Sequence, residues 1–289
     1  MNYLLHLVVM LSIYWMLALS LNLLLGYGGM LSLAQAAFYA LGAYTAALAM
    51  VALHLPFAVA VLLSVALAAA FAFLVSWPCL RVRGDVFALC TLGIQVVVYT
   101  VAYNWMGLTH GPFGISGIPK PAMFGIRFVE PESFAGLCVA TAALTGILSW
   151  RLYASPFGRL LRAVRDDEIA AVAAGKNASS VRGRAFMLAA CGASLAGVLY
   201  ATYVSYIDPT SFSLDEAILL VSLVIIGGAG NFRGPLVGTL FVLLLPEALR
   251  LLRVPDAVAA NMRQIIYGAL VIAVAYFRPR GLAGSYQLE

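Results

Sequence analysis

Long apolar runs alternate with short polar or glycine-rich interruptions along almost the whole chain. The runs cover residues 3–25, 30–53, 57–77, 86–105, 134–152 and 181–206, then 217–226, 236–252 and 262–277. A helix needs about 20 apolar residues to cross the hydrocarbon core of a bilayer. The pattern therefore predicts an all-α, polytopic transmembrane bundle with about 8–10 spans, nine in the simplest reading. The run 30–53 is rich in small residues, among them Ser32, Ala34, Ala36, Ala37, Gly42 and Ala43. Small residues let helix backbones approach closely in lipid, so this run is expected at the centre of the bundle. The run 217–226 is short for a span and reads as a half-helix or a tilted, partly buried one, after a polar turn at 208–216. Residues 236–252 are interrupted by Pro246-Glu247.

Residues 155–177 break the apolar pattern. The stretch from Arg151 to Arg184 holds seven of the chain's seventeen lysines and arginines, together with Asp166, Asp167 and Glu168. A Lys, Arg or Asp at the bilayer centre costs about 2.5–3.5 kcal/mol on insertion scales, so this segment belongs in water or against another protein. Ser155 is a good N-cap with Pro156 at the first helical position, and Gly175 is a natural C-terminal stop. Phe157, Leu160, Leu161 and Val164 repeat at i, i+3, i+4, i+7 and define one helical face, which the acidic cluster then interrupts.

Composition agrees: 63% of the residues are hydrophobic and 10% charged, against about 25% charged in a typical soluble domain. The net charge of +5 fits a positive-inside bias and needs no nucleic acid to explain it. Placing the charged segment inside puts twelve basic residues on that side and five on the other. That side is then the cytoplasmic one, with the C-terminus on it. The first eighty residues contain no Lys or Arg, so the N-terminal end is placed outside only by alternation. The first run lacks a basic leader and is long enough to span, so it reads as a retained anchor. Residues 107–132, with Pro112, Pro119, Pro121 and Pro131, read as an irregular external loop, which makes residues 1–289 one transmembrane domain. Cys79, Cys90, Cys138 and Cys191 lie singly in apolar surroundings, and His6, His54 and His110 lack metal-ligand spacing.

Candidate chemistry inside the spans is sparse. Two glycine-broken stretches, 26–29 and 227–234, fall one in each half of the chain. Interrupted helices at corresponding positions point to a transport pathway, with ordinary tight turns as the alternative. Gln35, Gln95 and Asn104 are neutral polar groups within runs; interhelical hydrogen bonding is their commoner use, and lining a pathway the other. Glu247 is a site candidate as an acid inside an apolar run, or a partner for Arg250 along the same helix. Ser32, Gln35, Thr91, Gln95, Gly227, Gly228 and Glu247 form the candidate translocation set. No phosphate-binding loop, zinc-protease motif or nucleophile elbow occurs. A proton-coupled carrier would need several ionisable groups within spans, so energy for uphill transport has to arrive from outside, through the charged segment.

Glu168-Ile169-Ala170-Ala171 followed by Gly175 resembles, with one extra residue, the E-A-A-x-x-x-G loop of bacterial ABC importer permeases. The chain as a whole is similar to LivM-type permeases of branched-chain amino acid importers. The matching stretches are 21–48, 81–93, 110–119, 157–177, 208–212, 226–247 and 276–282, in order along the chain. Gln35 stands where the family usually has Gly-His, and Lys176 where it usually has an apolar residue. The resemblance implies a multi-pass permease of the bacterial inner membrane that works by alternating access. It pairs with a LivH-like permease, LivF- and LivG-like ATPases and a periplasmic substrate-binding protein, in a lipid bilayer and without nucleic acid. No cofactor is bound by the chain itself, ATP and magnesium belonging to the ATPases, so the chain is not an enzyme. It also implies that the charged segment is a cytoplasmic coupling helix seated in an ATPase groove. Phe157, Leu160, Leu161 and Val164 would be its apolar anchors, and Arg159, Arg162, Arg165, Asp166, Asp167 and Glu168 its charged rim. Importers of urea, short amides or aromatic acids, a self-contained facilitator and an inert scaffold subunit are the rival readings.

Overall fold

In lipid every backbone N–H and C=O has to be satisfied within the protein, and a helix does this from its own residues. The computed structural model describes residues 2–82, 84–123 and 126–251, with 265, 266, 268, 269 and 272 beyond them, and gives the backbone alone for 2, 123, 126, 127 and 245–251. The elements run α1 (Asn2–Asn22), which continues into a π-helical turn Leu23–Tyr27, α2 (Gln35–Val51), α3 (Phe57–Cys79), α4 (Asp85–Asn104) and α5 (Met106–Thr109). A loop with short strands β1 (Ile115–Ser116), β2 (Ala122–Met123) and β3 (Ile126–Arg127) leads to α6 (Pro131–Ala154), α7 (Pro156–Asp166) and α8 (Glu168–Ala173). The chain continues as α9 (Ala178–Val204), β4 (Tyr206–Ile207), a 3-10 turn Pro209–Phe212, α10 (Leu214–Gly227) and α11 (Arg233–Leu251).

Six helices among the described residues are long and apolar enough to span, and two shorter apolar ones, Gln35–Val51 and Arg233–Leu244, accompany them. Of the last predicted span, 262–277, only residues 265, 266, 268, 269 and 272 are among the described ones. α9 is the central helix: 67% of its most apolar window is buried, against 22% for α3 and α4. It packs against α2, α3 and α1, while α6 lies along α1 and the α10–α11 pair leans on α1 as well. The α2–α9 crossing depends on small residues, as expected. A Cβ on Gly42 would fall 2.2 Å from the Ser194 carbonyl oxygen, so the two backbones touch without intervening side chains. α3, α4 and α6 turn large apolar side chains outward, among them Leu62, Phe73, Trp77, Leu89 and Leu148.

At the loop end of the bundle, β1 pairs antiparallel with β4 (Ile115↔Ile207) and β2 with β3. These strands were not legible in the sequence, because two residues are too few to show alternation. Lys120 reaches back from the loop, its Nζ donating to the Thr202 and Tyr203 carbonyls at 3.2 and 2.6 Å. Burial there draws its ammonium below the usual lysine range.

Three sequence expectations are corrected. α1 does not break at Gly26, since the π-helical turn carries the chain through it to Gly28. The predicted polar turn at 208–216 is largely helical. Leu214, Asp215 and Glu216 form the first turn of α10, and with the 3-10 turn the segment reaches 19 residues, long enough to cross. Counting only apolar residues had removed this polar first turn from the span. α11 runs through Pro246-Glu247 without a break.

Candidate coupling and translocation site

The two glycine-broken stretches meet each other, and Asn22 joins them. Its side chain is fully buried at the end of α1, where an amide must find partners. Asn22 Oδ1 accepts the Gly230 N–H at 3.0 Å, and Asn22 Nδ2 donates to the Asn231 carbonyl at 3.0 Å. One turn further on, a Cβ on Gly26 would lie 2.2 Å from Gly230 N and 2.3 Å from Asn22 Oδ1. The approach of the α10–α11 loop to the π-helical turn thus requires glycine. Gly227 is also close-packed, its Cβ position lying 2.1 Å from the Gly234 carbonyl oxygen, and Gly228 adopts φ +102° as the loop begins.

The charged segment attaches at the same place. Ser155 caps α7 as its sequence predicts, accepting the Gly158 N–H at 3.2 Å. Asp167 then ends that helix and caps α8, accepting the Ala170 N–H at 2.9 Å, so the segment is two short helices and not one. From α7, Arg165 Nη1 donates to the Gly26 carbonyl at 2.6 Å, while Nη2 sits 2.7 Å from Asp166 Oδ1. The Arg162 guanidinium lies 5.7 Å from the Tyr27 ring centroid. Tyr27 in turn stacks on Tyr153 at 4.0 Å, whose hydroxyl donates to the Leu19 carbonyl at 2.8 Å. A salt bridge of 2.8 Å between Glu168 and Arg182 ties α8 to the start of α9. The charged segment is thus fixed to the end of α1 and to α9, and Asn22 holds the α10–α11 loop against that same end of α1.

This attachment reverses the expected orientation of the amphipathic face. Leu161 and Val164 are wholly buried within the chain, and Phe157 and Leu160 pack on its core. The stripe predicted to anchor a partner therefore holds the segment onto its own bundle. Arg165 and Glu168, expected on the rim, point inward. The surface that remains outward carries Arg159, Asp166 and Asp167, with Ile169 79% exposed and Val172 54% exposed. Sequence periodicity located the apolar stripe and could not say which partner covers it.

Three of the polar residues within the spans, Gln35, Thr91 and Gln95, bond across the bundle. Gln35 Nε2 donates to Ser20 Oγ and to the Ala189 carbonyl, joining α2 to α1 and α9. Thr91 Oγ1 accepts the Leu33 N–H at 3.0 Å and donates to the Ala88 carbonyl. Gln95 Nε2 donates to the Phe212 carbonyl at 2.7 Å. Ser32 Oγ, Gln35 Oε1 and Gln95 Oε1 are buried and have no hydrogen-bond partner among the described residues. Asn104 bonds only to Thr100 of its own helix. The side chain of Glu247 lies outside the described residues. Reading the sequence missed Asn22, Tyr153, Arg182 and Glu216. Asn22 carried a signal, being an amide at the end of an apolar run just before a glycine break. Glu216 was hidden by its assignment to a turn.

These features define a polytopic helical membrane protein with a charged helix pair fixed to the glycine-broken ends of its apolar helices. The chain belongs to the family of permease components of branched-chain amino acid transport systems, which it matches over residues 3–275. It is 33% identical over 293 residues to the high-affinity branched-chain amino acid transport system permease protein LivM of Escherichia coli K12, covering 93% of this chain and 67% of that one. A probable LivM of Methanocaldococcus jannaschii is 25% identical, covering 71% and 61% of the two chains. The autoinducer 2 import system permease protein LsrC of Escherichia coli O9:H4 is 28% identical, covering 72% and 58%. No solved structure gives a significant match.

Proposed function

We propose that the chain is the membrane-spanning permease subunit of an ATP-driven ABC importer. In this reading it moves branched-chain amino acids, or a related small polar solute, into the cytoplasm by alternating access. The observation that carries it is the attachment of α7 to the first glycine-broken stretch through Arg165 and Gly26, against which Asn22 holds the second. A push on these helices from below is delivered to the ends of α1, α10 and α11, the kind of two-state element through which a distant event biases a bundle. Ile169 and Val172 supply an apolar surface for an ATPase groove, rimmed by Arg159, Asp166 and Asp167. A LivH-like permease, LivF- and LivG-like ATPases that hold the ATP and magnesium, and a periplasmic binding protein complete the assembly in a bacterial inner membrane.

The relatives named for autoinducer 2 import favour a second reading, in which the solute is an autoinducer of that kind. Proteoliposomes holding the four membrane subunits and the binding protein separate the two, since uptake of autoinducer 2 and not of amino acids favours the second. Leucine, isoleucine or valine accumulates only with ATP inside if the first reading holds. Uptake that needs no ATP would instead make the chain a facilitator.

A further inference from the structure

We propose that Glu216 and the tyrosines around it form a binding site for a primary ammonium group on the loop-end half of the bundle, through which an amino-acid substrate is recognised on its way in. The proposal rests on the importer reading above and names the chemical group that its pathway reads. Glu216 lies in the first turn of α10. Tyr14 hydrogen-bonds this carboxylate from α1, yet Glu216 Oε1 is shielded from solvent and has no partner among the described residues. An acid within a membrane bundle is a site candidate in its own right.

The Tyr39 hydroxyl, on a side chain only 1% exposed, also lacks a hydrogen-bond partner among the described residues. So does the Tyr44 hydroxyl, which lies further off, beside Asp208. Tyr39 and Tyr200 both lie close enough to feel the Glu216 charge. The rings form a cage: Tyr39 stands 5.4 Å from Tyr200 and 5.0 Å from Phe212, and Phe212 stands 5.9 Å from Tyr44 and 6.0 Å from Tyr200. A buried acceptor left unpaired is unfavourable until a donor reaches it. An ammonium brings three donors and a positive charge, and aromatic faces attract the same charge. A neutral solute would satisfy the hydroxyls but leave the carboxylate uncompensated. Phe212 fills the middle of the cage and is held there by Gln95 through its carbonyl, so the segment Pro209–Phe212 has to move for a solute to enter.

The test is leucine taken up per ATP hydrolysed by the complete importer in proteoliposomes with its loaded binding protein. Glu216→Gln lowers this ratio at least tenfold while stimulated ATP hydrolysis and subunit assembly stay at wild-type levels, and Glu216→Asp restores most of it. Tyr39→Phe, which keeps the ring and removes the hydroxyl, lowers the ratio severalfold and decides the matter if Glu216→Gln does not assemble. An unchanged ratio overturns the proposal, as does loss of uptake and ATP hydrolysis together, which marks a packing role. If the wild-type importer takes up no amino acid at all, the importer reading for amino acids fails and this site fails with it.

Discussion

Changing Ile169 and Val172 together to aspartate removes the ATPase subunits from the purified complex while leaving the chain folded in the membrane. The two side chains are 79% and 54% exposed on α8, three residues apart and therefore on one helical face. Burying an aliphatic side chain of this size contributes about 1.5–3 kcal/mol, so losing both weakens a partner interface by several kcal/mol. Each 1.4 kcal/mol is a factor of ten, which puts the loss of affinity at 100-fold or more. Glu168, whose salt bridge to Arg182 ties α8 to α9, and the buried Ala171 are both left in place. Gel filtration of the variant chain therefore matches wild type. Full recovery of the ATPases with the doubly substituted chain would place the docking surface elsewhere.

Asn22→Ala uncouples transport from ATP hydrolysis. The substitution removes both bonds that hold the α10–α11 loop to the end of α1. Each such bond contributes about 0.5–1.5 kcal/mol, and the gap left beside Gly26 loosens the contact further. Arg165 still reaches the Gly26 carbonyl, so α7 stays attached to the π-helical turn while the loop no longer follows it. Uptake falls about 100-fold, and ATP hydrolysis by the assembled complex persists. Asn22→Asp retains the acceptor for Gly230 and recovers part of the uptake. Coupled uptake at the wild-type rate in Asn22→Ala would show that the junction transmits nothing.

Much of this arrangement was readable beforehand, for reasons that differ from element to element. Apolar run length located α1, α3, α4, α6 and α9, because lipid imposes both the length and the composition of a span. The small residues of 30–53 correctly placed α2 at the centre, since only they permit the approach seen at Gly42. The break at 227–234 was visible and the one at 26–29 was placed two residues early, but their meeting was not legible. That contact joins residues about 200 positions apart through one amide, and neither periodicity nor composition encodes it. The amphipathic stripe of 157–164 was found at the residues that pack, and within this chain its own bundle covers them. A helical face shows that it will be covered, and tertiary contacts such as Arg165–Gly26 decide by what. Glu216 was lost for a simpler reason: a charged first turn at the mouth of a span looks like the loop that precedes it.

The central claim is that this chain works as one half of a permease pair driven by separate ATPases. Purifying it from its native membrane under mild conditions and identifying what comes with it by mass spectrometry tests that claim most directly. The account predicts a second, LivH-like permease and two ATPase subunits in stoichiometric amounts. A chain that purifies alone and still conducts solute through liposomes without ATP would contradict it.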